Sequence, residues 1–273
     1  MDKPTLAEHA VLYVDILGLR ELMAAARTDL TASTDLLANY DAVMEKALSS
    51  LGESDRLSLA HRSMSDSFVL SVAFGNVDWE STLGTVSVMA AELQLTMTLQ
   101  GWFLRGGFAA GPYYENDRII FGPALLEAYE VETQIAVYPR IALTRRATTL
   151  AVSDMKNYAE PYKSPQNGYL LLDCDNVAFL NYLYSPIGLG QSCEHLTTIV
   201  TRHRSAVETA LAKYADDPKL LAKYNWVASY HNFFVDTWLA SEKALLIPEH
   251  LSRSRPRLIV HEPTRPEYAE LEE

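Results

Sequence analysis

Apolar residues recur along this chain at two periods, and the alternation between them predicts its elements. Residues 9–18 form a nearly unbroken apolar run with one charge, Asp15, close to its end, which predicts a buried strand closing in a turn at Gly18. Leu19 to Ala26 suits a short helix. Leu36, Leu37, Tyr40, Val43, Met44 and Ala47 then recur at helical spacing behind a Ser33 or Thr34 cap. Leu57 to Ala60 and Ser67 to Phe74 read as two strands joined around His61 to Ser65, with Asp66 opening the second. Asp78 is placed to cap a long helix through Trp79, Leu83, Val86, Met89, Leu93 and Met97.

Leu104 to Ala110 and Ile119 to Phe121 read as strands, separated by Gly111-Pro112 and the polar Glu115-Asn116-Asp117. Gly122-Pro123 opens a helix over Ala124 to Val131, with proline in its first turn. Ile135 to Leu143 contains a further strand, and Leu150-Ala151-Val152 and Tyr169 to Leu172 are short strand candidates. His195 to Tyr214 and Pro218 to Leu246 read as helices, and Arg253 to Glu273 as an extended, proline- and charge-rich tail. The order β-α-α-β-β-α-β-β-α-β predicts an α/β fold, an α+β sandwich of one sheet with packed helices. Residues 1–190 form its main domain and 191–273 a helical extension and tail packed on it or at a dimer interface.

Composition narrows the function classes. The 273 residues are 48% hydrophobic and 21% charged, ordinary for a globular protein. The net charge of −12 argues against nucleic acid or an anionic membrane as main partner, while a nucleotide stays open because metals can carry the phosphate charge. Cys174 and Cys193 have no metal-ligand spacing. The N-terminus lacks a signal-peptide pattern and the apolar stretch Leu93 to Leu104 is too short to span a bilayer, so a cytoplasmic setting is expected.

The candidate chemistry centres on Asp15 and Asp66, each set against strand-forming apolar residues. A carboxylate is costly to bury there unless something compensates it, and a divalent cation is a usual reason. A β-α-α-β-β path can bring the two strands side by side, where the aspartates could hold two hard cations over a nucleotide's phosphates. Arg62 is either a solvated turn residue or a donor to a base edge or phosphate. Arg105 lies in Leu104-Arg105-Gly106-Gly107-Phe108-Ala109-Ala110-Gly111, whose glycines imply close approach of another backbone or a ligand. It either anchors phosphate or pairs with Glu127, Glu130 or Glu132. No Gly-Lys-Ser/Thr follows, so this is no P-loop, and neither His-Glu-x-x-His nor Gly-x-Ser-x-Gly occurs.

Val14-Asp15-Ile16-Leu17-Gly18 resembles the first metal-binding strand of class III nucleotidyl cyclases, and Arg62-Ser63-Met64-Ser65-Asp66-Ser67 their second metal hairpin. The glycine-rich strand looks like their central hairpin and Gly122-Pro123-Ala124 onward like the helix after it, so the resemblance spans about residues 9–143. Phe121 to Glu132, Tyr138-Pro139-Arg140-Ile141, Lys223-Tyr224-Asn225-Trp226 and Tyr230-His231-Asn232 look like the pyrimidine cyclases of the Pycsar antiphage defence system. Leu126 and Glu130 stand where purine cyclases carry an Asn and an Arg, and Ile119 near their adenine-reading acid.

The resemblance implies a ferredoxin-type sheet and conversion of UTP to cyclic UMP, with CTP to cyclic CMP as the close variant. It implies two Mn²⁺ or Mg²⁺ ions held by Asp15, Asp66 and the Ile16 carbonyl. Tyr40 would narrow the base pocket or else be a core aromatic, Arg62 would contact base or phosphates, and Arg105, Arg118 or Arg140 would serve the transition state. It also implies a head-to-tail homodimer and a separate effector protein that reads the cyclic product. A cyclase-like module that binds nucleotide or a partner without catalysis is the reading of another class.

Overall fold

A computed structural model describes residues 3–49, 60–74, 79–248 and 256–260. Strand β1 (Ala7–Ile16) leads into α1 (Leu19–Ala26) and α2 (Leu30–Ser49). The hairpin β2 (Ala60–Met64) and β3 (Ser67–Ala73) follows, then α3 (Trp79–Thr98), β4 (Leu104–Glu115), β5 (Ile120–Phe121) and α4 (Pro123–Gln134). Beyond these lie β6 (Ile141–Leu143), α5 (Arg145–Met155), α6 (Pro165–Tyr169), β7 (Leu170–Leu172), β8 (Ala178–Leu180) and α7 (Ser185–Gly188). Two long helices, α8 (Cys193–Lys213) and α9 (Pro218–Trp238), and the short β9 (Arg257–Leu258) follow.

The sheet runs β2-β3-β1-β4-β6-β8-β7-β9, with β5 paired to β4. Its first four strands are antiparallel neighbours and arise from the chain order β-αα-β-β-α-β, which is the ferredoxin-like arrangement. The fold is thus a mixed α/β sheet with packed helices. Strand periodicity decides which side of β1 does what. Ala10, Leu12, Val14 and Ile16 point into the main core under α2, α3 and α5, which supply Val43, Met44, Val86, Leu93 and Ala147. Val11 points to the opposite side and packs with Val69 and Ala109 against Ala124 and Ala128 of α4. Asp15 shares the parity of Val11 and so lies on the α4 side.

Gly107 explains how closely α4 approaches. A Cβ there would stand 2.0 Å from the Ala128 carbonyl oxygen and 2.9 Å from Val131 Cβ. The glycine-rich strand therefore admits a helix backbone, one of the two options its composition raised. On the far half of the sheet, a second core joins Ala91, Phe103, Leu171 and Phe179 to Val200, Val207, Trp226, Val227, Tyr230 and Phe234 of α8 and α9. Among the described residues no helix is long and apolar enough to cross a membrane.

Several boundaries differ from the sequence expectation. Leu150-Ala151-Val152 is helical, within α5, because Thr144 caps that helix by accepting from the Ala147 N–H. Helix α2 begins at Leu30 rather than after Ser33 or Thr34, since the Asp29 carboxylate accepts from the Thr31 and Ala32 N–H groups. The β2–β3 connection is only Ser65-Asp66, so His61 to Met64 are strand and Asp66 is a turn residue. Strand β4 continues through Gly111-Pro112, where β6 no longer accompanies it, so the proline need not donate on that side. Helix α9 ends at Trp238 instead of Leu246. Leu57 to Leu59, Asp78 and most of the tail lie outside the described residues.

Candidate active site

The turn after β1 sets the site. Gly18 takes a φ of 83°, a left-handed value that glycine adopts without cost, and ends the strand one residue before α1. The Ile16 N–H donates to the Asp66 carbonyl at 2.9 Å, which locks the end of β1 to the β2–β3 turn and brings the two aspartates to one place. Both line a pocket of about 380 Å³ together with Tyr13, Ile16, Gly18, Arg105 and Glu132. Strand register puts Arg105 directly across from Asp15 on β4 and Ser67 across from it on β3.

Arg105 is the hub of the pocket's charge. Its Nε donates to Asp15 Oδ2 at 2.9 Å, and its Nη2 stands 2.8 Å from Glu132 Oε1. The second contact is a charge pair outside hydrogen-bond alignment, so the buried Glu132 oxygen keeps unused acceptor capacity. Burial raises the pKa of Asp15, against the pull of Arg105, and the neighbouring Asp66 charge adds to the rise. Burial likewise raises Glu132, which Arg105 again offsets and Asp15 and Asp66 reinforce. The carboxylates thus repel one another across a partly dry space. On the rim, Arg20 Nε lies 3.9 Å from Asp66 Oδ2 with its side chain 84% exposed.

The structure therefore gathers Asp15, Ile16, Asp66 and Arg105, and separates the rest of the expected set from them. Arg62 reaches away toward β4 and β5, donating to the Asn116 carbonyl at 3.1 Å. Tyr40 packs edge-on against Trp102 and bonds Ser63 through its hydroxyl. Arg118 is exposed in the β4–β5 turn. Arg140 is 1% exposed, bound to Asp173 and Asp175 and flanked by the Tyr138, Phe179 and Trp226 rings, so it is a core cation.

No family model matches the chain, and no curated protein matches it. Solved structures do. The adenylyl cyclase CyaB from P. aeruginosa is 16% identical with a TM-score of 0.43, over 55% of this chain and 82% of that one. A class III adenylyl cyclase-like ATP-binding protein from Pseudomonas aeruginosa is 15% identical with a TM-score of 0.48, over 67% of this chain and 40% of that one. The monomeric guanylyl cyclase domain of the RhoGC fusion protein from Blastocladiella emersonii is 12% identical with a TM-score of 0.42, over 65% and 96%. At these values the function rests on the residues of the pocket.

Some pocket residues lie outside every sequence motif that points to the site. In the local sequence Glu132 is only one of three acids able to pair with Arg105, yet it sits eight residues after Ala124 and four after Ala128 on the buried stripe of α4. A carboxylate on such a stripe is a readable signal. Lys223 and Leu220, from α9, also line the pocket. Lys223 follows the same rule, being a charge among Tyr224, Val227, Tyr230 and Phe234 of a buried face.

Proposed function

We propose that this chain is a metal-dependent nucleotide cyclase that converts UTP to 3′,5′-cyclic UMP and pyrophosphate, with CTP to cyclic CMP as the close alternative. The observation that carries the reading is the meeting of Asp15 and Asp66 at one pocket wall, held by the Ile16–Asp66 backbone bond. Among the described residues no trio of His, Cys, Asp or Glu is gathered in metal-holding geometry. Two mutually repelling carboxylates still fit Mn²⁺ or Mg²⁺, because such ions are often held by one or two carboxylates plus substrate phosphates. Asp15, Asp66 and the Ile16 carbonyl would hold them. When bound, the ions lower the pKa of the ribose 3′-hydroxyl and neutralise the triphosphate.

The chain's own contribution is orientation and charge. Glu132 and Asp15 clamp two edges of the Arg105 guanidinium, which leaves its Nη1 to donate to an oxygen of the reacting phosphate. The 3′-oxygen forms a bond to the α-phosphorus while the bond to pyrophosphate breaks, and the hydroxyl proton leaves to solvent. Ile119, Phe121, Leu126 and Tyr129 are exposed apolar residues on and beside α4, which supports a homodimer that covers them. Arg62 and Tyr40 reach a base in this reading only across such a dimer. A cyclic product read by a separate effector in antiphage defence rests on the sequence resemblance alone.

One observation favours a non-catalytic nucleotide-binding module instead: Arg105 already neutralises Asp15. Incubation with Mn²⁺ and each of the four NTPs, followed by mass spectrometry, separates the readings. Cyclic UMP is expected, and it should vanish in Asp66→Ala with the fold intact. Full turnover by that variant would defeat the two-ion assignment, and no product from any NTP would leave the binding module.

A further inference from the structure

Lys223 has no role in the two-carboxylate scheme, yet it sits in the pocket with Asp15, Asp66, Arg105 and Glu132. Among the described residues its side chain makes no hydrogen bond and no ion pair within 4.0 Å. The other cations are differently placed: Asp15 and Glu132 take Nε and Nη2 of Arg105, and Arg20 stands at the exposed rim. Half-buried, Lys223 has its pKa lowered by burial and by the Arg105 charge, with Asp15, Glu21 and Glu132 opposing. A half-buried ammonium that lines a pocket with no side-chain partner has its donors open to a ligand.

We propose that Lys223 binds the polyphosphate of the substrate, so that the C-terminal helices complete the site. The inference rests on the cyclase reading for the identity of the nucleotide, and on the pocket alone for the anion. An ammonium is a point charge with three donors, suited to several non-bridging oxygens at once. The helix holds its base rigidly. One residue on, Tyr224 is buried, edge-on to Phe103 and stacked on Tyr214. Three residues on, Trp226 Nε1 donates to Asp173 at 2.7 Å, and seven on, the Tyr230 hydroxyl donates to Asn181 at 2.7 Å. Phe103, whose carbonyl accepts from the Leu17 N–H, ties this anchor to the turn after β1. Only the lysine's four-carbon stem is left to follow the phosphates.

The test uses the full chain and inorganic tripolyphosphate at fixed Mg²⁺, with binding read by titration calorimetry. Wild type should bind, Lys223→Met should weaken binding about tenfold or more, and Lys223→Arg should retain most of it. In turnover the methionine variant should raise KM for the nucleotide more than it lowers kcat. Absence of tripolyphosphate binding to wild type, or equal binding by the methionine variant, would overturn the assignment. Should that variant not fold, amine acetylation of wild type mapped by mass spectrometry decides: tripolyphosphate must protect Lys223, and unchanged labelling overturns the role. Lysine-dependent tripolyphosphate binding without cyclic product from any NTP would sink the cyclase reading and keep Lys223. Product formation with an unaltered KM in Lys223→Met would do the reverse.

Discussion

Replacing Arg140 by methionine tests what holds α9, and with it Lys223, against the sheet. Arg140 Nη1 donates to Asp173 Oδ2 at 2.6 Å, and both residues are 1% exposed. The same carboxylate accepts from Trp226 Nε1 at 2.7 Å, and its other oxygen from the Cys174 N–H at 2.7 Å. Arg140 also binds Asp175, whose side chain is 44% exposed and can turn to water. Methionine keeps the length and apolar packing among Tyr138, Phe179 and Trp226 but removes the charge. Two bonds to charged groups at about 1.5–3 kcal/mol each give a loss close to the ~3–5 kcal/mol seen when one partner of a buried pair is removed. At about 2–4 °C per kcal/mol, melting should fall by roughly 6–20 °C. Urea unfolding and thermal unfolding, both followed by circular dichroism, measure the free energy and the melting shift. The double variant Arg140→Met, Asp173→Asn should recover part of the loss, with a coupling of about 2 kcal/mol. A single-variant cost below about 1 kcal/mol, or additive variants, would refute the argument.

Gly107→Ala should cost about 1–3 kcal/mol by overpacking and reduce turnover, because α4 must retreat from β4 and carry Glu132 away from Arg105. A urea midpoint equal to wild type would show that α4 yields freely. The buried His203–His231 pair predicts an acid signature. His231 Nε2–H donates to the Leu245 carbonyl, so its Nδ1 accepts from His203 Nδ1–H, whose Nε2 accepts from Tyr182. Burial pulls His231 down to about 4 and His203 well below the ordinary value. Between about 6.5 and those values the unfolded chain binds more protons, so this stability is complete above the ordinary histidine range and is lost as pH falls, at ~1.4 kcal/mol per unit for each ring. Because Asp15 and Glu132, raised by burial, act in the opposite sense, the clean readout is imidazole NMR. Either ring titrating near 6.5 would contradict the network.

Local pattern was enough for much of the first half of the chain. The boundaries of α1, the turn at Gly18 and the strand character around Asp15 follow from period and turn chemistry within a few residues. Asp66 was legible as a charge beside an apolar run, and Gly107 as a position that something approaches. Leu150 to Val152 misled because a short apolar triplet fits either period, and the Thr144 cap six residues upstream decides it.

The sequence by itself marked Asp15, Asp66 and Arg105 as charges in or beside apolar strand runs, while Glu132 and Lys223 carried a signal of the same kind on the buried stripes of α4 and α9. Only the tertiary structure decided which of them meet. Sheet order places Arg105 across from Asp15, 90 positions earlier in the chain, and α4 delivers Glu132 to the same guanidinium. It sends Arg140 into the core with Asp173 and brings Lys223 to the pocket from α9. Periodicity reports the face a residue occupies on its own element. Which faces come together depends on strand pairing and helix packing between distant segments, and no local pattern records that.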